Sequence, residues 1–335
     1  MKKINLNSAL FVGIDAHQEE HTAVMATRFE EERSSLRFAN NTRGINQFMA
    51  WLENSQGNKT PLIGIEGGGR TRRYLVSRLL ERDYPLWEIN PLYTKQRRDY
   101  GTRGDKSDPL DALLVVEVLI RKLDRLPRLT LADYCSQRLT LVRLVSFWED
   151  LARQRARIKN QLRLLLKERS LTRQPEEREI LNLIIREKQK GLRQITRLEK
   201  KLKQKITACL GNPGLNLTTM KGISVILAAK IVAQTGKISK FSRVDKFIKY
   251  AGIAPLEKSS GKTKRYQKNK GGNRKLNAAF YLVALNQLRW NPEAKRYFQK
   301  KVAEGKTRKQ ALRCLMKRSA CIVYGMLKSG KPYQT

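Results

Sequence analysis

No stretch of the 335-residue chain reaches the roughly 18 uncharged apolar residues that a membrane span requires. The N-terminus, MKKINLNSALFVGID, is too short in its apolar part for a secretory signal, so the expectation is a cytoplasmic protein with no membrane partner. Cysteine is scarce: Cys135, Cys209, Cys314 and Cys321 include no CxxC pair and are too sparse for a disulfide framework, which predicts reduced thiols. Histidine is scarcer, with His17 and His21 alone. Acidic residues are few beside basic ones, 30 Asp and Glu against 69 Lys and Arg, for a formal net charge of +39. That is too basic for an ordinary enzyme of small molecules, while 40% apolar residues exclude disorder throughout and the length allows two or three domains.

The surplus is unevenly spread. Residues 1–133 carry 21 basic and 18 acidic side chains, net +3, whereas residues 134–335 carry 48 and 12, net +36. Such a field attracts polyanions and gains from the release of their counterions, which makes nucleic acid the leading partner class. An anionic membrane surface is the rival, but binding of that kind usually shows one basic amphipathic helix rather than a basic segment of about 200 residues.

The first part alternates strand and helix signals. Residues 10–15, 22–25 and 35–38 read as three short strands, followed by an amphipathic stretch near 44–52 and a buried strand at Pro61-Leu62-Ile63-Gly64-Ile65-Glu66. A helix near 72–80, a strand at 86–89 and a helix opening at Pro109 complete it. Three strands and then α-β-α-β-α predict a mixed sheet covered by helices, in an order compatible with the ribonuclease H fold. From about Gln137 the period changes. Leu141, Trp148 and Leu162 share one heptad position and Leu144, Leu151, Ile158 and Leu165 another, with Arg155 as the one break. The pattern pauses at Ser170 to Pro175 and resumes through Leu181, Ile185, Leu192, Ile195, Leu202 and Ile206, which predicts two long helices as an antiparallel hairpin or an interchain coil. Gly211-Asn-Pro-Gly214 ends it, and the remainder is helical and basic. The expected domains are 1–133, 134–210 and 211–335.

Asp15 ends the first strand and Glu66 the fourth. Carboxylates at adjacent strand ends, joined by others from a helix, can hold two Mg²⁺ ions about 4 Å apart and stabilise both oxygens of a phosphoryl transfer. The helix candidates are Asp108 and Asp111, at i and i+3. A plainer reading stands beside this one: Asp108 before Pro109 suits an N-cap and Asp111 the N3 position. His17-Gln-Glu-Glu20-His21 matches the H-x-x-E-H zinc pattern but falls between strands, and Gly64-x4-Gly69-Arg70-Thr71 resembles a P-loop with Arg in place of Lys. Lys221-Gly222-Ile223-Ser224 resembles a helix-hairpin-helix turn that presents N–H groups to a phosphate, with Ser224 where a second glycine is usual. Residues 262–275 carry seven Lys or Arg and no acid, which reads as a solvated face or as a phosphodiester wrap. Ser260, which precedes Gly261, has no catalytic signature by itself.

Taken in order, these segments resemble the DEDD-motif transposases of bridge-RNA-guided insertion sequences, which are related to the Piv-type DNA invertases. The carrying residues are GID ending at Asp15, IGIEGGG around Glu66, INP ending at Pro91, KSDPLDA with Asp108 and Asp111, and YAGIAPLEKSSGK with Pro255 and Ser260. KNKGGNRKLNAAFYLVAL and the C-terminal GMLKSGKPY complete the match, which covers nearly the whole chain. Where the family usually has E-[AS]-T-G, this chain has Glu66 followed by three glycines, which leaves the carboxylate in place.

The resemblance implies a RuvC-like domain whose Asp15, Glu66, Asp108 and Asp111 bind divalent metal (two Mg²⁺, with Mn²⁺ as a substitute), then a coiled coil and a transposase domain. It implies that Ser260 attacks a DNA phosphate to form a covalent phosphoserine, with the adjacent Ser259 as the competing position and Asp105 outside the tetrad. Lys221, Lys262, Lys264, Arg265, Lys268, Lys270, Arg274 and Lys275 are the candidates to hold nucleic acid. The implied partners are donor and target DNA, a structured guide RNA and further copies of the chain, as a homo-dimer or homo-tetramer with composite sites, acting in the bacterial cytoplasm at the nucleoid. A Piv-like invertase, a RuvC-like nuclease that uses water, and a non-catalytic nucleic-acid binder are the alternatives.

Overall fold

The computed structural model describes residues 9–334 except 58, 60, 67–70, 100–106, 132, 133, 135, 255, 261, 262 and 268–271; for 33, 56, 136, 256–260 and 263–267 it describes the backbone alone. The chain forms two compact units, Met1–Cys135 and Ser136–Thr335. Among the described residues no helix is long and apolar enough to cross a membrane.

The first unit is a mixed α/β layer structure. Its strands are β1 (Phe11–Ala16), β2 (Glu20–Ala26), β3 (Glu32–Ala39), β4 (Leu62–Ile65) and β5 (Leu86–Glu88). The sheet order is β3-β2-β1-β4-β5, with β1 antiparallel to β2 and β2 to β3, and with β1 parallel to β4 and β4 to β5. Four helices accompany it: α1 (Thr42–Gln56), α2 (Arg73–Glu81), α3 (Pro91–Asp99) and α4 (Asp108–Lys122). Every residue of β1 is buried, because helices cover both faces of the sheet.

The period of two along a strand sorts its residues between those faces. Val12 and Ile14 pack with Ile63, Ile65 and the apolar stripes of α1 and α2, including Ile45, Phe48, Leu52, Leu75 and Leu79. Phe11 and Leu62 pack instead with Trp87 and with Val115, Val116 and Leu119 of α4. Gly13 shares that second face, where a Cβ would sit 2.2 Å from the Ala112 carbonyl oxygen. Glycine there lets the backbone of α4 lie directly on β1.

Among its described residues the second unit is helical apart from one two-stranded hairpin, which differs from the expectation of a helical remainder because residues 256–267 are too polar and too short in period for a helix to bury. α5 (Ser136–Leu171) and α6 (Pro175–Asn216) are joined by a three-residue connection and run antiparallel. Leu151 packs with Ile195 and Leu202, and further out Arg169 donates to the Asn182 side-chain oxygen at 3.1 Å. Arg155, the break in the heptad pattern, meets Glu199 of α6 at 3.2 Å. Gly211, at φ 68° and ψ 169°, breaks α6 before Pro213. α7 (Val225–Thr235) is apolar nearly all round and packs against α5, α6 and α9 (Arg274–Trp290), with α8 (Val244–Tyr250), α10 (Pro292–Ala303) and α11 (Arg308–Ser329) completing the layer. α11 opens with a capping box between Thr307 and Gln310 and closes at Gly330, which is left-handed.

Candidate active site

Strand parity places the two strand-end acids. Asp15 lies two residues beyond Gly13, hence on the α4 face, and Glu66 continues the parity of Leu62 and Gly64 onto that same face. The parallel register sets Gly13 opposite Gly64 and Ile14 opposite Ile65, and the Glu66 amide donates to the Ile14 carbonyl at 2.9 Å. The two carboxylates therefore leave neighbouring strands side by side. α4 supplies Asp111, one residue before the Ala112 that touches Gly13, and Asp108 one turn earlier.

The helix start differs from the expectation that Asp108 is the N-cap. Ser107 holds the extended cap conformation, Asp108 is the first helical residue and Pro109 the second, so Asp111 falls at N4. The Asp108 carboxylate goes instead to the Arg37 guanidinium of β3 at 3.1 Å, and Arg37 also meets Glu20 at 2.7 Å.

Asp15 and Asp111 are both buried, each 8% exposed. Burial pushes the Asp15 carboxyl above the usual carboxylate range; Asp111 and Asp108 add to the rise, and His17, 3.0 Å from Oδ2, opposes it. Burial likewise pushes Glu66 up, against the Thr94 hydroxyl and the Arg98 guanidinium, while Asp15 and Asp111 raise it further. Thr94 and Arg98 come from α3, and Arg98 ion-pairs with Asp111. Asp15 and Asp111, both buried, and the half-buried Glu66 thus form one mutually repelling cluster, with Asp108, whose side chain is 41% exposed, at its rim.

Hard carboxylate oxygens that repel one another where burial strips away water fit a divalent cation in donor type and in charge. Among the described residues no three such groups converge closely enough to hold one ion. Each of the three aspartates instead meets a basic partner: Asp15 meets His17, Asp111 meets Arg98 and Asp108 meets Arg37.

Ser260 belongs to the second unit. It ends β6 (Leu256–Ser260), which pairs antiparallel with β7 (Thr263–Gln267); Ser260 faces Thr263 across the ladder, the last pair before the turn, and Ser259 faces Lys264. The base of this hairpin is pinched. A Cβ on Gly272 would lie 2.3 Å from the Gly252 Cα, and Gly252 has φ +66°. Asn277 donates to the carbonyls of Ala251 and Gly252 at 3.1 and 3.0 Å, and the Asn273 amide to that of Tyr250 at 2.7 Å. Lys264 and Arg265 are in β7, and Arg274 and Lys275 are exposed in the first turn of α9. Lys262, Lys268, Lys270 and Asp105 lie outside the described residues. Lys221 is exposed while its carbonyl accepts from the buried Gln287 at 2.8 Å, and Ser224 caps α7 by accepting from the Leu227 amide.

The two competing motifs come apart. His21 is fully buried with its ring edge-on to Phe38 at 5.3 Å, whereas the exposed His17 reaches Asp15, so they do not share a metal. Gly64 lies inside β4 against Val115 of α4 rather than in a phosphate loop. The sequence reading missed Arg37, Arg98 and Thr94. No local spacing signals them, because Arg98 is 13 residues from Asp111 and Arg37 is 71 from Asp108.

Comparison with known proteins adds the following. Residues 12–171 match a family model described as transposase, the DEDD transposase domain of IS110, and residues 215–299 match one described as the transposase IS116/IS110/IS902 family. An uncharacterized 43.6 kDa protein of insertion element IS110 from Streptomyces coelicolor is 33% identical over 120 residues, 36% of this chain and 30% of that protein. The matched stretch thus spans less than a third of that relative. The pilin gene-inverting protein of Moraxella lacunata is 24% identical over 97% of this chain and 98% of its own. T. thermophilus RuvC in complex with a Holliday junction substrate is a structural neighbour at TM-score 0.28 and 11% identity, covering 36% of this chain and 99% of that one, a likeness too loose to fix the fold.

Proposed function

Because residues 12–171 and 215–299 match transposase domains of the IS110/IS116 family, we propose that the chain is a DNA recombinase that cuts and rejoins strands by divalent-metal-assisted transesterification at Ser260. The observation that carries this reading is the buried acid cluster on the α4 face of a sheet ordered 3-2-1-4-5. That strand order supports a ribonuclease H-like, RuvC-like first domain.

In this reading Asp15, Glu66, Asp108 and Asp111 would hold Mg²⁺, or Mn²⁺ in its place. When bound, the metal supplies Lewis-acid stabilisation of charge on phosphate oxygens. The Ser260 oxygen forms a bond to phosphorus as the bridging bond from phosphorus to a deoxyribose oxygen breaks; the serine proton is lost and the departing sugar oxygen gains one. Rejoining reverses the step with a new sugar hydroxyl, so no net bond energy is lost to water. The pinched hairpin base supports the serine's role, since a nucleophile must be held in a narrow range of geometries. The exposed Lys221, Arg274 and Lys275, together with Lys262, Lys264, Arg265, Lys268 and Lys270, would hold phosphodiester backbone.

The net charge of +36 beyond residue 133 supports a second polyanion, a structured guide RNA, beside donor and target DNA. Leu164, Leu171, Ile180 and Leu183, each 60% or more exposed toward the far end of the α5–α6 hairpin, support self-association as a homo-dimer or homo-tetramer. A site-specific invertase is the second reading, favoured by the full-length likeness to the pilin gene-inverting protein.

Incubation with DNA tests the chemistry. Wild-type protein is expected to yield a covalent protein–DNA adduct that Ser260→Ala abolishes, while Asp15→Ala keeps DNA binding and loses cleavage by about 100-fold or more. Cleavage to free ends by Ser260→Ala would convert the reading to a hydrolytic nuclease. A single structured RNA copurifying with the protein would favour guided transposition over inversion.

A further inference from the structure

α3 brings two consecutive arginines to α4, and they do different things. Arg97 pairs with Glu117, two turns along α4 from the acid cluster, with side chains 37% and 15% exposed. Arg98 pairs with Asp111, whose side chain is 12% exposed, and lies close enough to Glu66 to lower that carboxyl as well. The Arg97 pair already docks α3 on α4, and Thr94, 2% exposed, buries the same helix. Arg98 is therefore a fixed positive charge inside the cluster that the docking of α3 does not require.

Resting on the divalent-metal reading above, we propose that Arg98 is a positioning residue that competes with the divalent ion for Asp111 and, once displaced, turns to the DNA phosphate. Metal loading and phosphate binding are thereby coupled. A guanidinium held on Asp111 and a divalent cation at the same carboxylate repel one another at low local dielectric, so each weakens the other's hold on it. The displaced guanidinium keeps its charge at every accessible pH and needs a new anion; its planar fork matches two phosphate oxygens. Without DNA, Arg98 then holds metal affinity down. With DNA, the phosphate takes Arg98 off Asp111 and metal affinity rises. Linkage requires the converse, that metal raises affinity for DNA by the same factor.

The arrangement at the rim is parallel. Arg37 shares its guanidinium between Asp108 and Glu20, so its release from Asp108 leaves it a partner on Glu20. Arg98 has no second carboxylate ion pair among the described residues, and the Glu66 near it belongs to the same acid set that the metal would take, so its displacement calls for an incoming anion.

Binding of Mn²⁺ to the full-length protein, followed by the electron-spin resonance of the free ion, tests the proposal without reference to catalysis. Wild type is expected to bind Mn²⁺ in a way that Asp111→Asn weakens. Arg98→Gln is expected to bind Mn²⁺ about fivefold more tightly or better, an increase that loss of a merely structural contact would not produce. Arg98→Lys, which keeps the charge, should stay near wild type, as should Arg97→Gln, which breaks only the tie to Glu117. A short DNA duplex should tighten Mn²⁺ binding in wild type and have a several-fold smaller effect in Arg98→Gln. Equal or weaker Mn²⁺ binding by Arg98→Gln, with wild type still dependent on Asp111, overturns the proposal and leaves the metal reading standing. If wild type, Asp15→Asn and Asp111→Asn all bind Mn²⁺ alike, the metal reading fails and this proposal with it.

Discussion

At the scale of single residues, the acid cluster is a place where the fold carries charge at a cost. A carboxyl whose proton affinity is raised on folding contributes least at high pH, because the fold then holds an ion that burial and its neighbours penalise. Stability tied to Asp15 and Glu66 is accordingly present in acid and is lost as pH rises through their elevated ranges. Asp15→Asn removes one such charge and gives up only the tie to the exposed His17. In chelator at pH 7 this variant should melt above wild type by about 1–3 °C, with the gain shrinking as pH falls to where Asp15 itself takes a proton. Thermal scans across pH check this, and a lower melting point at neutral pH would show that the His17 contact outweighs the repulsion. Asp15, Glu66, Asp108 and Asp111 are conspicuous in the sequence because aspartates and glutamates at strand ends and at a Pro-marked helix start have recognisable neighbours. Arg98 and Arg37 are not, since nothing in a run such as Gln96-Arg97-Arg98-Asp99 says which arginine turns to which distant acid.

At the scale of elements, the hairpin of α5 and α6 shows what one interruption of a periodic pattern does. Arg155 occupies a seam position where leucine or tryptophan would continue the heptad, and Glu199 of α6, with a side chain 9% exposed, stands opposite. The second Glu199 oxygen is buried without a hydrogen-bond partner. Arg155→Ala would leave that carboxylate buried and alone. Complete burial of both partners would make this loss about 3–5 kcal/mol, and because the Arg155 side chain is 38% exposed we expect about 1–3 kcal/mol. The double variant Arg155→Leu, Glu199→Leu should recover most of it or exceed wild type. Denaturant titrations of Arg155→Leu, Glu199→Leu, their double and wild type form the cycle; a double variant as unstable as Arg155→Leu would refute the account. The heptad pattern announced two helices and their seam but left open whether the seam closes within the chain. The three-residue link and the Arg155–Glu199 pairing close it as an intrachain hairpin.

At the scale of the whole molecule, the seam's closure leaves other apolar residues without cover. Leu164 and Leu171 lie one heptad apart off the seam of α5, and Ile180 and Leu183 lie three apart on α6, at 64%, 71%, 60% and 61% exposure. In the reading proposed above, these residues meet a second copy of the chain. Leu164→Lys, Leu171→Lys and Leu183→Lys combined should lower the sedimenting mass by at least half while the melting temperature stays within about 2 °C. An unchanged mass would remove the hairpin end from the assembly.

The sequence by itself determined the strands and most helices of the first unit and the two long helices of the second, because their periods and turns are local, but neither α3 nor the β6–β7 hairpin, whose short runs are polar and carry no clear period. It also determined the uneven charge, which is a matter of counting, and offered the four acids as candidates, since their residue types and surroundings are local too. Only the tertiary structure decided that β1 is buried on both faces, that Gly13 lets α4 lie against it, and that Asp15, Glu66 and Asp111 consequently come near enough to raise one another's proton affinity. It alone decided that Arg98 stands among them, since long-range ion pairs depend on which helix faces the next, and no spacing along a chain encodes that directly.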